Sequence, residues 1–570
     1  MNSNKKVACP LDCYDSCQAQ VIDNNIKGSK EHFTTNAKLC VNFAQLLKEE
    51  NLNSAKFNNQ DISLEESLNI LSDKLKQSEP SKTLFYKGSG NLGVMQSATK
   101  NFFSQYGATL TKGSLCDGGG GLGIQQGREA VINPPIQNLL NADIIIVWGR
   151  NFSVTSSHMY DLVKDKTFVT IDPIKTDIAK KSKIHMQINP KTDYELALLL
   201  TRFAHMQDLE DEEFLEEYTE GSDWFFDISR NRPVVSYEAT TGVPLSLVND
   251  FFDLIENKKV AIMLGLGVQK YFEGAQIVRC IDSFASFMGY HNKDAGGLWY
   301  LSDSNYGYEK QFEFKNKNKN KKVALPEVDF SLYDLVFIQG ANPVVSAPNT
   351  QSVIDGLKKS FVVCFTTTNN DTCEYADLII PSSSFLEKKD FRLSYGHEFK
   401  AKSQVINEAS KNTISEYDLA SYLMEQFNLQ ALKNEDEVLE YYENNIPKRE
   451  NFENFEFIEE VDIEPLYKNK TSDNFYLITA KSKTSLNSQF KVDNYVYLNS
   501  TSGFKDNDTV LISSKYGKAS FEVKISDDIK EECAFFYAGN KYTNYLTPNK
   551  VDEESFSAMY QEVLLDIELS

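Results

Sequence analysis

The chain lacks any run of about 18 apolar residues, so the sequence predicts no membrane span. It opens from Met1 to Lys6 without an apolar signal region or a twin-arginine pair, which predicts a cytoplasmic protein. Positive charge is scarce: 59 Lys and Arg stand against 81 Asp and Glu, a net charge of -22. Such a surface repels a phosphate backbone, which argues against nucleic acid or anionic membrane as the main partner and suits basic protein partners. The six histidines show no His-x-x-x-His or His/carboxylate metal spacing, and neither a nucleophile elbow nor a Walker loop occurs.

What is present is enough for a large folded protein. At 570 residues, with 37 Phe and 28 Tyr, the chain should divide into several domains with apolar cores. Short apolar runs ending in Gly, Asn or Asp recur with helical stretches between them: Thr83–Tyr86, Asp143–Trp148, Phe168–Ile171, Lys259–Leu264, Leu335–Ile338, Phe361–Cys364 and Leu378–Ile380. That rhythm predicts doubly wound α/β domains with parallel sheets covered on both faces. One such unit is expected over 61–150 and 330–460, discontinuous in sequence, and a second over 151–329. The basic run Lys315–Lys322 reads as a solvated insertion, and residues 431–466 as an acidic helical connector. From 470 to 570 short β-rich runs (Tyr495–Leu498, Thr509–Ile512, Ser520–Val523) predict a small C-terminal β-barrel.

Residues 1–60 form a cysteine-bearing module, with too little apolar periodicity before residue 45 to fold on packing alone. Of nine cysteines, Cys9, Cys13 and Cys17 come at intervals of four and Cys40 follows downstream. In a reducing compartment such clustering points to metal rather than disulfide. Four thiolates can surround a [4Fe-4S] cluster, one per iron. A structural zinc is the rival, although zinc sites usually present two close cysteine pairs. Cys280, Cys364, Cys373 and Cys533 lack ligand spacing and read as structural. Further on, Cys116 stands just ahead of the run Gly118–Gly121, where glycines would let backbone amides approach a bulky anion; a buried thiol beside a turn is the alternative.

The segment Cys9-Pro10-Leu11-Asp12-Cys13-Tyr14-Asp15-Ser16-Cys17 resembles the N-terminal cluster motif of the molybdopterin oxidoreductases, the dimethyl sulfoxide reductase-like family, and the resemblance runs through almost the whole chain. It implies a bis-molybdopterin guanine dinucleotide cofactor with molybdenum or tungsten. Cys116 occupies the place of the family's metal ligand, with Asp117 where formate dehydrogenases carry a His. His158 and His397 are proton-transfer candidates. The family commonly has a lysine two positions after the fourth cysteine, between cluster and pterin; Asn42 stands there, and Lys38 is the candidate substitute.

Ligands of doubly wound sheets lie at the carboxyl ends of strands. Five post-strand loops therefore become dinucleotide candidates: Gly88, Ser89 and Asn91; Gly149 and Asn151; Asp172; Gly265 and Gly267; Gly340 and Asn342. Asp172 could accept the N1 and exocyclic N2 donors of guanine together. Asn189–Asp193 resembles a family Pro-Gly-Thr-Asp turn that includes Asp193, with Lys191 in place of Gly; a positive φ suits Lys poorly, so a different turn is expected. Thr479, Asn487, Asn540 and Asn544 resemble barrel residues that close over the dinucleotides. The resemblance implies a two-electron redox reaction on a small substrate, such as a sulfur oxyanion, polysulfide or S- or N-oxide. Electrons would pass through the cluster to an iron-sulfur or other electron-transfer protein. Formate oxidation is the second expectation, and a non-catalytic electron-relay or scaffold subunit that keeps the cluster without pterins is the third.

Overall fold

A computed structural model describes residues 4–309, 319–446 and 452–570. Two parallel sheets dominate. The first has eight strands in the order Lys322–Ala324, Thr109–Lys112, Thr83–Lys87, Leu335–Gln339, Phe361–Thr366, Leu378–Pro381, Ala55–Phe57 and Gln60–Ile62. Its pairs are parallel except at the end, where the hairpin 55–62 adds antiparallel. The second has five parallel strands, Ile184–Met186, Thr167–Ile171, Ile144–Trp148, Val260–Leu264 and Gly297–Trp299. Every residue of Ile144–Trp148 and Val260–Leu264 is buried, which is why these strands read as continuous apolar runs rather than as alternation.

In both sheets the strand order reverses at the centre. The chain passes from Thr83–Lys87 outward to Thr109–Lys112, then restarts at Leu335–Gln339 and runs the other way. Likewise it passes from Ile144–Trp148 to Thr167–Ile171, then restarts at Val260–Leu264. Each reversal opens a crevice between two adjacent loops at the carboxyl edge.

Pairing divides the chain differently from the sequence boundaries. Ile144–Trp148 was grouped with the first unit but is the central strand of the second sheet, and the hairpin 55–62 belongs to the first sheet rather than to the cysteine module. Helices cover the sheets. Leu64–Gln77 starts on the Ser63 hydroxyl, which accepts the Glu66 N–H at 3.1 Å, and buries Leu68, Leu71 and Leu75 along one face. Of the basic run, residues 315–318 lie outside the described residues, while Lys322 begins an edge strand. The acidic connector holds the helix Glu435–Asn444 and a short strand, Phe455–Glu456, that pairs with Thr219–Glu220.

The C-terminal barrel closes through Phe475–Ala480, Cys533–Tyr537, Tyr495–Leu498, Gly517–Ile525, Thr509–Ser514 and Leu564–Leu569. Val496, Leu498, Val510, Ile512 and Val523 fill it. The cysteine module is a three-stranded antiparallel sheet, Lys6–Ala8, Gln18–Ile22 and Asn25–Gly28. Its small core of Val7, Leu11, Ala19, Val21 and Phe43 continues into Ile406 and Leu486, so distant chain supplies the packing its own sequence lacks.

Candidate active site

The carboxyl edges of both sheets face one groove of about 710 Å³, closed on its third side by the barrel. All the loop residues singled out from sequence line it, from Gly88, Ser89 and Asn91 through Asp172 and Asp193 to Thr479, Asn487, Asn540 and Asn544. At each reversal the paired loops touch through backbone. The Gly90 N–H donates to the Gly340 carbonyl at 2.8 Å, and the Gly265 N–H to the Trp148 carbonyl at 2.9 Å. A Cβ on Gly265 would lie 2.1 Å from the Gly149 carbonyl oxygen, and Gly149 itself has φ of 56°. Glycine is required there because two backbones meet with no room for a side chain.

Cys116 lines the middle of this groove. Ser114 Oγ accepts the Cys116 N–H at 2.8 Å, and the Gln269 side-chain amide donates to the Cys116 carbonyl at 2.5 Å. Burial pushes its thiol far up, Asp117 and Asp12 add to the effect, and Lys481 and Lys270 oppose it. Such a thiol is protonated in isolation, and a bound metal would displace the proton. Lys270 was not visible from sequence. Burial lowers its ammonium to about 8 despite the nearby Cys116, and it donates to Thr479 Oγ1 at 3.2 Å.

Three sequence expectations need correction. The glycines after Cys116 do not face the groove; they form the helix Gly118–Arg128, which packs on Gly274–Phe287 so closely that a Cβ on Gly123 would lie 2.3 Å from the Ala275 carbonyl oxygen. Within the run itself Ser557, Gln269 and Tyr300 occupy the space beside Gly118, Gly119 and Gly120, so close side-chain packing rather than anion approach uses those glycines. Asp117 is not among the groove residues: its carboxylate accepts the Ser114 hydroxyl at 2.9 Å. His158 lines the neighbouring cysteine chamber instead, because its N–H and that of Met159 donate to the buried Asp15 carboxylate at 2.9 and 3.2 Å and seat the helix Ser157–Val163 there. His397 also sits with the cysteine module, its Nε2 2.8 Å from the Asp15 carbonyl oxygen.

The turn at Lys191 likewise departs from expectation. Lys191 adopts φ of 60° although it is not glycine, and its side chain is 1% exposed. Its ammonium donates to both Glu562 oxygens at 2.9 and 2.8 Å and lies 2.8 Å from Glu273. A buried ion pair to Glu562, just ahead of the last barrel strand Leu564–Leu569, thus offsets the strained backbone.

At one end of the groove, Asp172 accepts the Ile174 N–H at 2.8 Å and Asp193 accepts the Trp148 indole N–H at 2.7 Å. Burial raises the Asp172 carboxyl to about 7 and that of Asp193 to about 6. At the other end Asn342 is engaged with Thr372 and Asp371, so its amide holds the polar loop 366–371 in place. Asn540 and Asn544 donate to the Tyr495 and Val345 carbonyls, so both line the groove while tying their loop to a barrel strand and to the first sheet's helical segment Pro343–Ser346.

A second, smaller chamber is lined by Cys9, Cys13, Cys17 and Cys40. None of the four is in a disulfide, and burial pushes the Cys9 thiol up to about 12. Among the described residues no three His, Cys, Asp or Glu side chains close to the spacing of a single metal ion. Cys40 caps the helix Val41–Leu46, its sulfur accepting the Phe43 N–H at 3.5 Å. Lys38, the candidate substitute for a lysine at 42, points away and pairs with Asp161 at 2.9 Å on the surface. No helix among the described residues is long and apolar enough to cross a membrane.

Comparison with known proteins agrees with this architecture. The family model "Molybdopterin oxidoreductase" matches residues 58–426, and "Molydopterin dinucleotide binding domain" matches 475–564. The chain is 26% identical over 510 residues to "Probable oxidoreductase YyaE" of Bacillus subtilis (strain 168), covering 77% of this chain and 74% of that protein. It is 25% identical over 319 residues to the F420-dependent formate dehydrogenase subunit alpha of Methanocaldococcus jannaschii, covering 49% of this chain and 45% of the relative. Acetylene hydratase from Pelobacter acetylenicus superposes with a TM-score of 0.80 over 99% of this chain and 100% of the other, at 14% identity, a likeness of fold.

Proposed function

The chain belongs to the molybdopterin oxidoreductase family, a family of molybdenum-dependent enzymes, and from that premise we propose a two-electron redox reaction on a small substrate at Cys116. One observation carries this reading: both strand-order reversals, Cys116 and the barrel open on a single groove. The loops of the two reversals, with their glycines, would hold the two dinucleotides of a bis-pterin cofactor, and Cys116 would be available to its metal. When bound, the bis-pterin metal centre supplies the two-electron redox change. The residues of this chain do the rest. Asp172 offers a carboxylate to a guanine edge, the glycine loops admit the phosphates, and Cys116 supplies a thiolate to molybdenum or tungsten. Lys270 places a cation and an exchangeable proton beside that sulfur.

The four-cysteine chamber fits a [4Fe-4S] cluster. Its four thiols share one space, and each could ligate one iron of a cubane. Electrons would pass through it between the pterin site and an electron-transfer protein, inward when the substrate is reduced and outward when it is oxidised. Sulfur oxyanions, polysulfide and S- or N-oxides are the proposed substrates, with formate as the second reading supported by the formate dehydrogenase relative.

The test is anaerobic purification with iron, molybdenum, tungsten and pterin analysis of the wild type and Cys116→Ser, then a viologen-coupled screen of those substrates. Pterin and one Mo or W per chain, with turnover lost in Cys116→Ser, is the expected result. Iron without pterin, molybdenum or tungsten would instead identify a relay subunit.

A further inference from the structure

The groove and the cysteine chamber are neighbours, and three residues line both: Leu11, Thr155 and Lys481. Two of them are uncharged. Lys481 is the charged member of the partition, and it comes from the segment just after the barrel strand Phe475–Ala480, far in sequence from the cysteines. Its ammonium makes no hydrogen bond or ion pair among the described residues, so its three donors remain available to what fills either space. Burial works against the charge, while the Asp12 carboxylate, which lines the groove with Lys481, favours it. Other cations stand elsewhere: Lys270 and Arg150 line the groove but not the chamber, Arg392 lines neither and donates to the Cys13 carbonyl at 3.2 Å, Lys38 pairs with Asp161 at the surface, and Lys483 pairs with Asp177 with 64% of its side chain exposed. Ser482, Ser485 and Leu486 follow Lys481 into the chamber wall, so the C-terminal domain closes the space that the cysteines open.

We infer that Lys481 is the bridging cation of this protein. It neutralises the anionic cluster on one side, donates to the pterin on the other, and so sets the potential at which electrons cross between them. This rests on the cluster and pterin reading above. The step would be outer-sphere: electrons would cross one at a time between cluster and pterin centre, supplied by the redox partner protein when the substrate is reduced and delivered to it when the substrate is oxidised, while Lys481 is neither oxidised nor reduced. A positive charge at that place favours the reduced cluster, whose net charge is one unit more negative. Asn42 lines the same chamber, and its buried side-chain oxygen has no hydrogen-bond partner, so a lysine at 42 would have the chamber within reach. Lys481 is thus a positioning and tuning residue rather than a catalytic one.

The test is an EPR-monitored redox titration of the anaerobically purified holoenzyme. In Lys481→Met the reduced-to-oxidised cluster ratio at a fixed potential should fall on the order of tenfold, as expected for loss of a nearby half-buried unit charge. Lys481→Arg and the surface control Lys483→Met should titrate as the wild type does. In the Asn42→Lys/Lys481→Met double variant the ratio should return toward wild type. Should Lys481→Met lose iron altogether, the double variant must restore iron content as well as potential. A wild type without a cubane signal overturns the cluster reading and this inference with it. A wild-type cubane whose titration is unchanged in Lys481→Met, or a double variant that fails to recover, overturns the inference alone.

Discussion

Replacing Lys191 tests whether a buried charge can hold a backbone that glycine would adopt freely. The side chain is 1% exposed between Glu562, 11% exposed, and Glu273, 22% exposed. Removing one partner of a buried pair costs about 3–5 kcal/mol, and the partial exposure of both carboxylates places Lys191→Met near the lower end, about 3 kcal/mol. A non-glycine residue at φ of 60° carries about 1 kcal/mol of strain, which Lys191→Gly would relieve. Lys191→Gly should therefore be destabilised by about 2 kcal/mol. At about 2–4 °C per kcal/mol for a domain of 150–250 residues, the first calorimetric transition should drop by about 6–12 °C in Lys191→Met and about 4–8 °C in Lys191→Gly. Because Glu562 lies between the barrel strands Cys533–Tyr537 and Leu564–Leu569, limited proteolysis should release the barrel earlier in both variants. A Lys191→Gly protein as stable as the wild type would refute the reasoning, since the ion pair would then be worth no more than the strain it offsets.

The carboxyl of Asp172, raised by burial to about 7, must be ionised to accept two N–H donors. Binding of guanosine monophosphate to cofactor-free protein should weaken as pH falls through that value, roughly tenfold from about pH 8 to about pH 6, with the pH dependence lost in Asp172→Asn. Titration calorimetry at both pH values checks it, and tighter binding on acidification would contradict the assignment. Gly265→Ala pushes a Cβ to 2.1 Å from the Gly149 carbonyl oxygen, so thermal stability and pterin content should both fall. By contrast Gly121 has open space around its missing Cβ inside a helix, and Gly121→Ala should stabilise the protein by about 1 kcal/mol in a thermal melt.

Much of this molecule was legible locally. Strands such as Ile144–Trp148 and Val260–Leu264 are buried on both faces, and burial writes itself into sequence as uninterrupted apolar runs. The glycine loops after those strands and the Cys9, Cys13, Cys17 and Cys40 spacing are likewise short-range patterns set by backbone sterics and ligand chemistry. The structure brings the loops to one groove and the cysteines to one chamber. Where a residue's role depended on what another part of the chain presses against it, the sequence could not decide. The run Gly118–Gly121 looked like an anion cradle until Gln269 and Tyr300 filled the space beside Gly119 and Gly120. Lys191 looked misplaced until Glu562 and Glu273 surrounded its ammonium. His158 looked free to face the metal until Asp15 drew its helix to the cysteine module. Lys481 carried no motif at all, because standing between two cavities is a property of packing the barrel against residues hundreds of positions earlier. The amino-acid sequence by itself determined the elements, their turns and the ligand types available. Only the tertiary structure decided which charges meet, since desolvation and Coulomb energy depend on distances that no local pattern encodes.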